Sequence, residues 1–263
     1  MKTLLENIKD ELQVKANPEK AGILSRFFKT GKGEYGEGDI FLGIVVPEQR
    51  KIAKKYSELP LKDLKGLLSG RIHEHRLVAL LILVIKYKKA DGPGKKEIFD
   101  FYLRHTKHIN NWDLVDLSAP NIVGDYLLTR DRSVLYDLAH SKSVWEKRIS
   151  VLSTLTFIRN NQFDDTFRIA ELLIHDKHDL IHKASGWMLR EVGKRNQKAE
   201  EFFLKKHYQD MPRTMLRYAI ERFEEEDRKI YLKKGAVKLS ITPCRCYLPA
   251  IISTLTPALK KPL

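Results

Sequence analysis

His75-Arg76-Leu77-Val78-Ala79-Leu80-Leu81-Ile82-Leu83 is a basic pair that opens straight into an apolar helix, and the chain repeats the device. Lys147-Arg148 precedes Ile149-Ser150-Val151-Leu152-Ser153-Thr154-Leu155. His182-Lys183 opens Ala184-Ser185-Gly186-Trp187-Met188-Leu189-Arg190, and Pro212-Arg213 opens Thr214-Met215-Leu216-Arg217-Tyr218-Ala219. Positions 76, 112 and 148 are two steps of 36, and 183 and 213 follow at 35 and 30. Helix pairs with a period in the thirties indicate an all-α fold, an α-solenoid of HEAT-like repeats near the shorter end of that range. Equivalent positions of stacked repeats line one concave face. Arg76, Trp112, Arg148, Lys183 or Trp187, and Arg213 are therefore expected along one basic groove that also carries aromatic rings.

Working outward, residues 3–15 and 18–29 read as helices, with Asn17 as cap and Pro18 at the first helical position. Further helices are expected at Pro47–Ser57, Pro60–Ser69, Ile72–Lys89, Lys95–Ile109 and Trp112–Leu128. Ser133–His140, Val144–Asn160, Asp164–His175, Asp179–Arg195, Gln197–Gln209 and Pro212–Lys233 complete the series. Apolar residues recur at three- and four-residue spacing in most of them, and strand alternation is absent. Gly31-Lys32-Gly33-Glu34-Tyr35-Gly36 formally matches G-x-G-x-x-G. A helix precedes it, however, and a dinucleotide fingerprint needs a strand there. The repeat array is taken as 1–234. Residues 235–263 change character, with Pro243, Pro249, Pro257 and Pro262 among Ser and Thr, and read as an atypical, poorly ordered tail.

Lys and Arg outnumber Asp and Glu by 48 to 34, a net charge of +14. That surplus points to a polyanionic partner rather than to a merely basic soluble protein. The longest apolar run, Leu77 to Ile85, falls far short of the ~20 residues that span a bilayer. The first residues become charged at once, unlike a signal peptide. The two cysteines, Cys244 and Cys246, are too few for a zinc site and too close for a structural disulfide. A reduced cytoplasmic setting without a membrane is expected.

Three tryptophans are present. Trp145, in an apolar helix one turn from Ile149, reads as core. Trp112 stands at a helix start after two Asn. Trp187 follows Ala184-Ser185-Gly186, small residues that leave its face approachable. Asp113 has the ordinary role of a first-turn acid near the positive end of a helix dipole. Asp116 lies on the same helical side as Trp112, four residues on, between Val115 and Leu117. It is either a salt-bridge partner or a carboxylate placed to stabilise positive charge on a sugar or to orient a water. His73 with His75, and His175, His178 and His182, raise a metal hypothesis. No Cys or carboxylate completes a shell, so neither metal nor cofactor is expected.

Four segments in this order resemble the AlkD-type DNA alkylation repair glycosylases, which are built from HEAT-like helical repeats. They are Tyr35-Gly36-Glu37-Gly38-Asp39 running into Phe41-Leu42-Gly43-Ile44; His75-Arg76-Leu77; Asn111-Trp112-Asp113-Leu114-Val115-Asp116; and Ala184-Ser185-Gly186-Trp187-Met188-Leu189-Arg190-Glu191. Met211-Pro212-Arg213-Thr214 with Leu216-Arg217-Tyr218-Ala219 resembles that family's last repeat. The resemblance covers residues 1–234 and departs at the tail and at the Asn110-Asn111 lead-in. It implies hydrolysis of the N-glycosidic bond of cationic N3- and N7-alkylated purines in double-stranded DNA, without base flipping, by a monomer. It also implies a catalytic aspartate at Asp116, lesion-flanking tryptophans at Trp112 and Trp187, and a phosphate-contacting arginine at Arg148. Arg76, Lys183, Arg190 and Arg213 join Arg148 as expected DNA contacts.

Two other classes compete. A non-catalytic relative would bind bent or branched DNA through the same basic groove, but it has no need of a carboxylate facing phosphates. A helical-repeat protein scaffold would not need basic residues in register.

Overall fold

The computed structural model describes residues 2–233. Its helices are α1 (Leu4–Val14), α2 (Pro18–Phe27), α3 (Val46–Lys55), α4 (Leu61–Leu68), α5 (His73–Lys89), α6 (Gly92–Arg104), α7 (Trp112–Ala119) and α8 (Asp125–Leu127). After them come α9 (Ser133–Ala139), α10 (Val144–Arg159), α11 (Asp164–Leu172), α12 (Asp179–Gly193), α13 (Gln197–His207), α14 (Arg213–Ala219) and α15 (Glu225–Leu232). Strand pairing among the described residues is limited to one isolated bridge between Ile40 and Ile72. No helix among them is long and apolar enough to cross a membrane. The tail read from residue 235 onward lies outside the described residues.

The fold is an all-α helical-repeat solenoid. An inner row runs α5, α7, α10, α12, α14, each packed on the next, while α4, α6, α9, α11 and α13 flank it. This layering explains why α5 and α10 lack a polar face. From His73 to Val84 every α5 side chain is buried, and α10 is buried continuously from Arg148 to Leu155. A helix covered on all sides reads apolar all round. The hydroxyls inside α10 are satisfied by carbonyls: Ser150 Oγ donates to Leu135 O at 2.7 Å, and Ser153 Oγ to Ile149 O at 2.6 Å. Unpaired, each would cost about 1–3 kcal/mol.

Close approach between inner helices depends on glycine. A Cβ on Gly186 of α12 would lie 2.3 Å from Met215 O of α14. The small residues before Trp187 therefore serve helix packing, and Gly186 does not open the indole face as the sequence suggested. Gly124 plays the same part against α10, where a Cβ would meet Ser153 O at 2.3 Å.

Several helix limits differ from the expected ones, and three of the differences have an evident physical reason. Gly92-Pro93-Gly94 belongs to the first turn of α6, because Asp91 caps it by accepting Gly94 N–H at 2.9 Å. The helix expected from Trp112 to Leu128 contains a π-helical segment, Pro120–Gly124. Pro120 has no N–H for the Asp116 carbonyl one turn back, so regular α-helix fails there. Thr156 Oγ1 of α10 donates to Pro120 O at 2.6 Å and pins the segment. The span Pro212–Lys233 is two helices, with a 3-10 turn at Ile220–Arg222 and extended Phe223 between them.

Candidate active site

The site is assembled at the start of the inner helices. Its frame is the connector between α2 and α3, which folds over the first turn of α5. Glu74, fully buried, accepts three successive backbone amides from it: Leu42 at 2.9 Å, Gly43 at 2.8 Å and Ile44 at 3.2 Å. Gly43 is required twice over, by its φ of +84° and because a Cβ would stand 2.2 Å from Asn17 O. The connector's glycine-rich bend uses its own acids to fill its amide donors. Glu34 accepts Gly31 N–H at 2.9 Å and Glu37 accepts Gly33 N–H at 2.8 Å, which fits the rejection of a nucleotide loop.

Docked in this way, the connector delivers Asp39 to His73. His73 Nδ1 is 3.1 Å from Asp39 Oδ2, and Nε2 is 2.8 Å from Asp113 Oδ2 at the start of α7. Arg76 Nη2 lies 2.7 Å from the other Asp39 oxygen, and its Nη1 donates to Gly70 O at 2.9 Å. Burial pushes His73 down, but the hydrogen bonds to Asp113 and Asp39 outweigh it and raise the imidazole to about 9. Burial likewise pushes Asp39 up, and His73 and Arg76 together hold it below the usual carboxylate range. His75, without such partners, is lowered to about 4 by burial and by the charges of Lys9 and Arg76.

Aromatic rings continue the line. Phe41 stacks on His73 at 4.4 Å, Phe28 on Phe41 at 5.0 Å, and Trp112 on Phe28 at 5.0 Å with 14° between planes. Phe27, largely exposed, meets the Trp112 ring edge-on at 5.9 Å. Across from them Tyr35 makes an edge contact with Trp145 at 6.0 Å. Burial raises the Tyr35 phenol, and the nearby Trp112 indole and the Lys183 charge oppose it. The connector, α7, α10 and α12 thus bring Tyr35, Trp112, Trp145 and Lys183 to one place.

One turn along α7 from Asp113, Asp116 faces Arg148 of α10. Arg148 Nε donates to Oδ1 and Nη2 to Oδ2, both at 2.8 Å, and Nη1 donates to Leu180 O at 2.7 Å. This is the two-pronged geometry of an ionised carboxylate with guanidinium. The Asp116 side chain keeps 14% exposure while that of Arg148 keeps 6%. Burial pushes Asp116 above the ordinary carboxylate value, and the hydrogen bond and charge of Arg148 pull it back. Two of the four lone-pair directions on the carboxylate remain for another partner.

The positions singled out by sequence therefore have distinct surroundings. Trp112 and Asp116 share one face of α7 as expected. Trp187 is partly buried, its indole N–H donating to Glu191 Oε1 at 2.9 Å, and the described residues include no ring contact between it and Trp112. Arg76 and Arg148, expected along the basic groove, have little free surface. Both are buried, at 3% and 5% exposure, and each clasps an aspartate from a neighbouring element. Arg76 ties the connector to α5, and Arg148 ties α7 to α10. Lys183 pairs with Asp179 at 2.7 Å but stays 40% exposed. Arg190 pairs with Glu221, and Arg213, exposed, donates to Leu232 O at 2.8 Å. From sequence Glu74 has no role, Asp39 stands only within a motif and His73 only among possible metal ligands, while Trp145, which reads as core, borders Tyr35 with its ring. Among the described residues no three His, Cys, Asp or Glu side chains converge as a metal site.

Known proteins of similar sequence and structure bear on the chain as follows. A family model described as DNA alkylation repair enzyme matches residues 8–223. A solved structure described as a predicted DNA alkylation repair enzyme from Enterococcus faecalis superposes with a TM-score of 0.62 at 18% identity, covering 80% of this chain and 97% of that one. At that identity the second match speaks for the fold alone. The search of curated proteins found no match.

Proposed function

Because this chain belongs to the DNA alkylation repair enzyme family, we propose that it is a monofunctional DNA glycosylase, hydrolysing the N-glycosidic bond of cationic N3- or N7-alkylated purines in double-stranded DNA. The observation that carries the proposal is the Asp116 carboxylate. It is set on the face of α7 that also bears Trp112, held rigid by Arg148, and still partly open to solvent.

Alkylation at N3 or N7 leaves the purine positively charged, so it departs without a general acid. The C1′–N9 bond breaks with its electron pair going to the purine, which becomes neutral. Positive charge moves to C1′ and O4′ of the sugar, water adds at C1′, and its proton passes to Asp116 or to solvent. Asp116 stabilises the developing sugar cation from a fixed position, with no reorganisation needed as the charge appears. The Trp112 face turned away from Phe28 favours a cationic sugar or base lying over it, and Trp187 is the proposed second flanking ring. A reaction that relies on the leaving group's own charge has no need of a deep base pocket, which supports action without base flipping. Lys183, Arg190 and Arg213 serve the phosphates, with Arg148 engaged first in holding Asp116. The setting proposed is a cytoplasmic monomer acting on duplex DNA.

A second reading draws on the same pair. Both Asp116 oxygens are occupied by Arg148, as they would be in a purely structural bolt of a DNA-binding relative without activity. Incubation with a duplex methylated at guanine N7 and adenine N3 separates the two. The proposal expects abasic sites, read as strand breaks after alkali, that accumulate with time and protein concentration. Retarded DNA with no gain of alkali-labile breaks over the protein-free control would make the chain a binder.

A further inference from the structure

We propose that His73 is a positioning residue for this site, clamped between Asp39 and Asp113 so that it fixes the first turn of α7 and with it Trp112 and Asp116. The proposal rests on the glycosylase reading for what the positioning serves, though not for its geometry.

The clamp requires a charged ring. A neutral imidazole has one N–H, and His73 faces a carboxylate oxygen at each nitrogen, at 3.1 Å and 2.8 Å. Only the imidazolium donates to both. Its surroundings are otherwise closed: the ring is 2% exposed, Phe41 covers one face, and Phe28 approaches at 5.1 Å. The charged groups facing it are Asp113 from α7, Asp39 from the connector and Arg76 from its own helix, so two anions balance two cations. Asn111, the cap of α7, extends its amide to the same Asp39 oxygen at 3.4 Å.

Two routes lead from His73 to the reacting face. One is covalent: Asp113 is the residue after Trp112, and Asp116 stands one turn further on the same short helix. The other is the ring stack from His73 through Phe41 and Phe28 to Trp112. A carboxylate that has to meet a sugar within tenths of an ångström needs such support beneath it. When His73 loses its proton, one carboxylate is left facing a lone pair, and the first turn of α7 loses its brace. Because the folded ring titrates at about 9 rather than 6.5, the brace is complete below the free-histidine range and is lost as pH rises through 9.

The test follows two resonances in the intact protein from pH 6 to 10.5: the His73 ring and the Trp112 indole N–H, the latter assigned with Trp112→Phe. The expected result is a common midpoint near 9, which Asp39→Asn lowers by about 1–3 units by removing one of the two carboxylates. Base release from methylated duplex should fall with the same midpoint in each protein. A Trp112 resonance that does not move as His73 titrates would overturn the proposal, and the unaltered protein suffices for that reading if Asp39→Asn does not fold. Midpoints of base release that coincide in the two proteins, while the His73 titration shifts, would overturn it as well. Absence of release at every pH refutes the glycosylase reading, and the paired resonances still decide the clamp.

Discussion

Arg148→Ala is expected to destabilise the protein by roughly 3–5 kcal/mol, the cost of leaving a buried charge without its partner. Asp116 is 14% exposed and receives two of the three hydrogen bonds that Arg148 donates; the third holds Leu180 O in the first turn of α12. The substitution therefore loosens α7, α10 and α12 together. Lysine restores the charge but not the two parallel bonds, so Arg148→Lys should recover only part of the loss. Replacing both members at once, Asp116→Leu with Arg148→Met, should be far less costly, because neither charge remains to be desolvated. Since burial already pushes Asp116 upward, the deficit of Arg148→Ala should be full at neutral pH and shrink as acid protonates the unpaired carboxyl. Urea unfolding at several pH values measures each point. A deficit independent of pH would show that Asp116 does not remain a buried carboxylate.

Asp116→Asn carries the second large effect, on rate rather than on fold. Asparagine keeps the shape and two acceptor lone pairs but removes the negative charge that the sugar cation needs. Base release under single turnover should fall by about 10²–10³-fold, the range seen when one preorganised electrostatic partner is removed. Affinity for duplex DNA should stay the same or increase, because a carboxylate near phosphates opposes binding. The melting temperature should also drop, since Arg148 keeps its burial and loses its counter-charge. Release measured well below that temperature separates the two effects. A variant that releases base at the unaltered rate would remove Asp116 from the chemistry and leave it a bolt.

The array was readable from the sequence because its signal is local. A basic residue or pair near the start marks four of the five inner helices, α7 being the exception, and most breaks between runs are short and polar. Where the reading slipped, packing overrode local signals. The split of Pro212–Lys233 is fixed by Phe223, which turns out of the helix to meet the edge of Tyr231 at 5.8 Å. The start of α6 was readable after all: Asp91 with Pro93 two residues later is a cap followed by a first-turn proline.

The site was readable only as far as one helix reaches. Trp112 and Asp116 share a face by their spacing alone. Arg148, 32 residues further on, and His73, 40 residues before Asp113, enter only through the stacking of repeats. Asp113 looked like an ordinary first-turn acid, and by position it is one, yet its other oxygen meets a buried imidazole. Arg76 and Arg148 show the opposite limit: their register is legible, but the aspartate that each one holds is not. Those partners come from other elements, so spacing along one helix does not reveal them.

The family comprises proteins that repair alkylated DNA, and the glycosylase proposed here would do so by cutting the glycosidic bond. The most direct test is the chemical form in which the alkyl group leaves. A duplex carrying isotopically labelled methyl on guanine N7 is incubated with the protein, and the small-molecule fraction is resolved by mass. A glycosylase leaves intact labelled 7-methylguanine in that fraction and an abasic sugar in the strand, which is the expected result. Label lost from the DNA without free base, with unmodified guanine restored in place, would contradict it.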